Sequence, residues 1–265
     1  MEIFSLIEGD SPLLVSSPHS GQYVPEDIVS RMTNAGRAVG DTDWHIEKLY
    51  GFAPAMGISL LHANYSRYVI DLNRDKDGSS LYPGANVTEL CPTTSFNMED
   101  IYLPNMAPQR EEIVDRVARY WQPYHDALRK QIARIKAKHG YCILFEAHSI
   151  RSEVARFFEG ELPALNWGTD TGKTADNALL EIAFDFFEKN APSLSQVMNG
   201  RFKGGYITRA YGKPDENVHA MQLEMAQRVY MEETPPYAWD AEKAKLIQSH
   251  LQQLFDLFLC LEFKK

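Results

Sequence analysis

Two histidines stand at matching places in this chain. Each is followed by serine, and each closes an apolar run: Leu13-Leu14-Val15-Ser16-Ser17-Pro18-His19-Ser20 and Cys142-Ile143-Leu144-Phe145-Glu146-Ala147-His148-Ser149. Short apolar runs bounded by turn residues read as buried strands. Open α/β sheets place their ligands outside the carboxyl ends of the strands. A lone histidine there is ordinarily structural, but two in the same setting suit one shared metal ion. Catalytic zinc takes three protein ligands and keeps a position for water, so a carboxylate or a further histidine is needed. Asp43, Glu47 and Glu146 are the nearby options. Asp43 lies where a loop enters a helix, a place that equally suits an N-cap. Glu146 precedes His148 by two residues and so points the same way from a strand, as a ligand or as a partner that fixes the imidazole. His45 and His62 have no such context.

Three further groups of residues carry chemical potential. In Ser66-Arg67-Tyr68-Val69-Ile70-Asp71-Leu72-Asn73-Arg74, strand alternation puts Arg67, Val69, Asp71 and Asn73 on one face and Tyr68, Ile70 and Leu72 on the other. This is either a buried Arg–Asp pair joining two elements or a device that recognises an anion with a guanidinium fork. In His219-Ala220-Met221-Gln222-Leu223-Glu224-Met225, Met221, Leu223 and Met225 share one face and leave Gln222 and Glu224 on the other. A carboxylate on the inner face of a strand is costly unless paired or functional. Beside a metal-activated water Glu224 is placed to act as general base. Just upstream, Gly204-Gly205 within Lys203–Arg209 makes either an ordinary loop or a close backbone approach to a ligand.

The elements that must hold these residues follow from periodicity. After the first strand, residues 21–40 read as loop and short helix. A helix is expected from about Thr42 to Phe52, a strand at Gly57–Leu61, and a strand across 66–74. Residues 75–106 are rich in Gly, Pro, Asn and Thr, and a loop of that length is often functional. Ile113, Val117, Trp121, Tyr124, Leu128, Ile132 and Ile135 recur at helical steps through Gln109–His139, with a kink or division expected at Pro123 and a stop at Gly140. Helices are also expected at about Thr174–Lys189 and Ala241–Phe263. Strands alternating with amphipathic helices indicate an α/β fold, a mixed or parallel sheet covered on both faces.

Composition narrows the classes. The chain has 265 residues and is 44% hydrophobic, enough for one large α/β domain or two small ones. A net charge of −9 without a basic block argues against a nucleic-acid partner, while a few local arginines still suffice for a small anionic substrate. The three cysteines are widely spaced, as expected of reduced thiols in a cytoplasmic protein. The start of the chain does not read as a signal peptide, and no apolar stretch has the length of a membrane span.

Taken together, the blocks Ser17–Gly21, Asp41–His45, Ser66–Arg74, Glu146–Arg151, Leu165–Thr169, Lys203–Thr208 and Gln222–Glu224 resemble the N-formylglutamate deformylases (N-formylglutamate amidohydrolases) of histidine degradation, in the family's order and over about residues 13–230. Each block alone is weak, and the set is specific. That family is similar to zinc carboxypeptidases and aspartoacylase-like enzymes. The resemblance implies one domain over 1–265, three-layered, with a mixed, mostly parallel sheet, helices on both faces and one zinc ion at its edge. It implies His19 and His148 as ligands, Arg67 polarising the scissile carbonyl, Asn73 and Arg74 on a substrate carboxylate, and Glu224 as the catalytic glutamate. Zinc carboxypeptidases use His-x-x-Glu, but here the residue three past His19 is Gln22. Asp43 is therefore taken as third ligand, with Glu146 or Glu47 in reserve. The expected substrate is a small molecule with two carboxylates, N-formyl-L-glutamate, with Arg151 or Arg209 as second anchor. The alternative is another metal-dependent N-acyl amino acid amidohydrolase or a carboxypeptidase, because the family has members with other substrates. The sequence does not set the oligomeric state.

Overall fold

A computed structural model describes residues 1–78 and 87–263. Of the loop expected at 75–106, residues 79–86 lie outside the described residues; the described remainder has no regular helix or strand. Seven strands form one sheet: β1 (Phe4–Ile7), β2 (Leu13–Ser17), β3 (Ser59–Ala63), β4 (Cys142–Ile150), β5 (Leu165–Gly168), β6 (Gln196–Met198) and β7 (Val218–Ala226), in the order β1-β3-β2-β4-β7-β5-β6. Neighbours β3, β2, β4 and β7 run parallel; β1 and β5 pair antiparallel to β3 and β7, and β6 lies parallel to β5. The carboxyl ends of β2, β4 and β7 therefore meet at one edge.

Helices cover both faces: α1 (Glu26–Val29), α2 (Asn34–Arg37), α3 (Ile46–Leu49), α4 (Arg110–Arg116), α5 (Gln122–His139), α6 (Asn177–Asn190), α7 (Tyr206–Tyr211) and α8 (Ala241–Leu259). Strand alternation divides the core. Leu13, Val15, Phe145 and Leu223 pack with Leu179 of α6 and Leu251 and Phe255 of α8, while Leu14, Leu144 and Ala220 pack with Tyr124, Leu128 and Ile132 of α5. Glu146, His148, Gln222 and Glu224 continue the α5 side of β4 and β7 toward the sheet edge, in register as Glu146↔Gln222 and His148↔Glu224. The long helical pattern does not divide at Pro123 but runs on from α4 through a π-helical turn over Val117–Trp121 into α5, and that π turn just before Pro123 is the local break in the regular ladder.

Two expected elements take other forms. Residues 66–74 are a turn-rich loop and not a strand. Its carbonyls are satisfied by side chains: Arg116 Nη1 donates to Val69 O at 2.8 Å, His125 Nε2 to Leu72 O at 2.8 Å and Trp121 Nε1 to Arg74 O at 3.0 Å. With its hydrogen bonds met this way the segment needs no ladder. Tyr68, Val69, Ile70 and Leu72 all enter the core, so Val69 does not share the polar side. The helix expected at Thr42–Phe52 shrinks to α3 and a 3-10 turn at Ala53–Met56, because His45 holds a left-handed φ of 61° and Asp43 is engaged elsewhere.

Candidate metal centre

His19 follows β2 directly and His148 lies near the end of β4, and the parallel register brings their ring centroids to 5.0 Å. The loop before α3 delivers Asp43 between them, tied by the Asp43 N–H donated to His19 O at 3.1 Å. Asp43 Oδ2 lies 3.1 Å from His148 Nδ1 and 3.8 Å from His19 Nδ1, and it accepts the Ser149 N–H at 3.1 Å. It does not cap a helix. One donor atom from each of His19, Asp43 and His148 falls within 4.8 Å of the others, and all three residues are buried. Ligands about 2.0–2.2 Å from a tetrahedral zinc stand about 3.4 Å apart, so this nitrogen, nitrogen and oxygen set fits a divalent metal. Among the described residues no other such group occurs, and Glu47 and Glu146 are outside it.

Asp71, read from the sequence only as one half of a buried Arg–Asp pair, organises the centre. It is fully buried and accepts from His19 Nε2 at 2.7 Å, Arg67 Nη2 at 2.6 Å and the Asn73 N–H at 2.9 Å. Burial alone would raise its pKa, but Arg74, His19 and Arg67 hold the carboxyl well below the usual range. Its bond to Nε2–H leaves the His19 Nδ1 lone pair facing Asp43. Burial, helped by Arg67, lowers His19 to about 4 against the pull of Asp71 and Asp43, so the ring is neutral as a ligand must be. The signal for Asp71 was its place beside Arg67 and Asn73, where a buried carboxylate needs donors.

His19, Asp43 and His148 line a cavity of about 860 Å³ together with Arg67, Asn73, Arg74 and Glu224. Burial, reinforced by the Asp43 charge, pushes the Glu224 carboxyl well up against the pull of Arg67 and Arg74. Gly205 brings its backbone close to the Asn73 side chain and not to a ligand, so that a Cβ there would meet Asn73 Nδ2 at 2.2 Å. Arg74 donates to Thr88 O at 3.1 Å and Thr88 Oγ1 at 2.9 Å. Arg151 and Arg209 do not line the cavity: Arg151 bonds Asn97 at 2.8 Å and Arg209 pairs with Asp170 at 2.9 Å. Arg201, which sequence reasoning missed, does line it, with Nε donating to Phe157 O at 2.7 Å. Behind the site, the fully buried Glu146 carboxyl is pushed up to about 8 by burial.

Known proteins are similar to this chain over most of its length. The family model described as N-formylglutamate amidohydrolase covers residues 11–231. An N-formylglutamate deformylase of Pseudomonas aeruginosa is 44% identical over 258 residues, 97% of this chain and 96% of that protein. One from Pseudomonas putida is 42% identical over the same shares. A crystal structure of N-formylglutamate amidohydrolase from Ralstonia eutropha JMP134 superposes with a TM-score of 0.83 at 23% identity, covering 98% of each chain.

Proposed function

The chain belongs to the N-formylglutamate amidohydrolase family, hydrolases of an amide bond, and from that premise we propose that it cleaves N-formyl-L-glutamate to L-glutamate and formate. The proposal includes one zinc ion held by His19, Asp43 and His148, and a place at the end of a histidine degradation route. The free thiols of Cys91, Cys142 and Cys260 suit a reducing cytoplasm. The observation that carries the reading is the buried His19–Asp43–His148 group in one cavity with Glu224 and Arg67.

A divalent metal at that site supplies Lewis acidity and lowers the pKa of water toward ~7. Glu224 takes the proton of the attacking water and returns it to the leaving amine. Arg67, kept in place by Asp71, donates to the carbonyl oxygen as charge develops. Asn73 and Arg74 bind one substrate carboxylate. A second carboxylate calls for a second cation, and Arg201 takes that role in place of Arg151 and Arg209 because it lines the cavity.

A cavity of about 860 Å³ lies toward the upper end of ordinary ligand pockets, about 300–1,000 Å³. It favours as second reading a broader N-acyl amino acid amidohydrolase. Rates on N-formylglutamate, N-formylglutamine, N-acetylglutamate and a C-terminal dipeptide separate the two. The deformylase reading expects N-formylglutamate to lead by more than tenfold, and equal rates across the panel would leave only the broader reading.

A further inference from the structure

The two histidines of the metal centre are not prepared alike. His19 already presents a lone pair at Nδ1, because its Nε2–H is given to Asp71. At His148 the nitrogen facing away from Asp43 meets the side-chain nitrogen of Asn73 at 3.1 Å. That amide cannot be reversed without loss, since its Oδ1 accepts the Ile207 N–H at 2.8 Å. An amide N–H aimed at Nε2 requires a lone pair there. The single proton of the neutral ring then sits on Nδ1, donated to Asp43 Oδ2 at 3.1 Å. In that tautomer Nδ1 has no lone pair for a metal. Binding through Nδ1 moves the proton to Nε2, where it would face the donor of Asn73.

Glu146 stands ready for that proton. Its Oε2 lies 3.7 Å from His148 Nε2, and both its oxygens are buried without a hydrogen-bond partner among the described residues. A metal-ligating histidine almost always donates its other N–H to a carboxylate, carbonyl or water, and a buried carboxyl group without a partner is costly whether or not it carries a proton. We propose that Glu146 is a positioning residue that selects the metal-binding tautomer of His148, and that this change frees the Asn73 amide to point at a substrate carboxylate. The ring carries one proton in both states and only its nitrogen changes. The proposal rests on the metal site put forward above. It makes metal and carboxylate binding mutually supportive, since any coupling acts equally in both directions.

Nitrogen-15 NMR of the histidine rings reads the tautomer directly, and a zinc titration against a chromogenic chelator reads affinity without turnover. The metal-free protein should show His148 protonated at Nδ1, and the zinc-loaded protein should show it protonated at Nε2. Glu146→Leu, which offers no acceptor, should lower zinc affinity by roughly 10–100-fold, and Glu146→Gln, which keeps one, should recover part of it. A metal-free His148 already protonated at Nε2 would overturn the proposal even if the variants failed to fold. So would a folded Glu146→Leu protein that binds zinc as tightly as the native chain. In both cases the metal site itself survives. A native protein that takes up no zinc overturns the site and the proposal together.

Discussion

Replacing Asp71 with asparagine should disable the centre without touching a metal ligand. Asp71 is fully buried and receives three donors, from His19, Arg67 and the Asn73 backbone, at 2.6–2.9 Å. Asparagine has one side-chain oxygen to offer them and turns an NH₂ group toward the others. Removing one partner of a buried ion pair costs about 3–5 kcal/mol, and the retained oxygen puts Asp71→Asn near the lower end, about 3 kcal/mol. Loss of the carboxylate behind a histidine ligand should weaken zinc binding by roughly 10–100-fold. Arg67, no longer anchored, should lose its aim at the carbonyl, so kcat falls as well as metal affinity. Urea unfolding of the metal-free variant, chelator competition and kcat at saturating zinc measure the three effects separately. A variant within about 0.5 kcal/mol of native stability and with native zinc affinity would refute the role of Asp71 as the organiser of the site.

Other changes act on separate parts of the site and the fold. Glu224→Gln should keep its metal and lose turnover by roughly 10²–10⁴-fold; loss of the metal from this variant, measured by elemental analysis, would make Glu224 a ligand instead. Arg74→Ala should cost about 2–5 kcal/mol in kcat/KM for N-formylglutamate, with Arg74→Lys recovering only part, whereas Arg151→Ala and Arg209→Ala should change it little. Arg201→Ala should narrow the preference for N-formylglutamate over N-formylglutamine, and an unchanged ratio would remove Arg201 from the second-carboxylate role. The buried His125 ring, which donates to Leu72 O and accepts from the Tyr211 hydroxyl, is lowered to about 4 by burial. The unfolded chain therefore binds more protons between about pH 6.5 and 4, so stability is lost as pH falls through that window, by at most about 3 kcal/mol from this group. Unfolding curves of His125→Gln should be flatter than native across that range, and parallel curves would exclude the contribution.

Much of the site was legible because it lies on strands whose two faces differ. Alternation in Met221–Met225 put Glu224 on the polar side, and the apolar runs before His19 and His148 placed both at strand ends, as the parallel register of β2, β4 and β7 bears out. The loop at 66–74 was misread because a period of two looks the same whether carbonyls bond a neighbouring strand or, as here, the side chains of Arg116, His125 and Trp121, which lie more than 45 residues away. Long-range bonding likewise hid the link from Asp71 to His19, 52 residues away, while its pairing with Arg67 four residues upstream was readable. Four-residue β5 and three-residue β6 are too short to show a period. Among the described residues no helix is long and apolar enough to cross a membrane. Arg201 lies in a loop without periodicity, so only the cavity wall reveals it.

The most direct test is formate release from N-formyl-L-glutamate by the purified protein, measured as isolated, after a chelator, and after zinc is restored. Stoichiometric formate and glutamate, abolished by the chelator and recovered with one zinc per chain, is the expected result. Release of formate at an unchanged rate from fully metal-stripped protein would contradict a mechanism built on His19, Asp43 and His148. No release from the zinc-loaded protein would contradict the substrate itself.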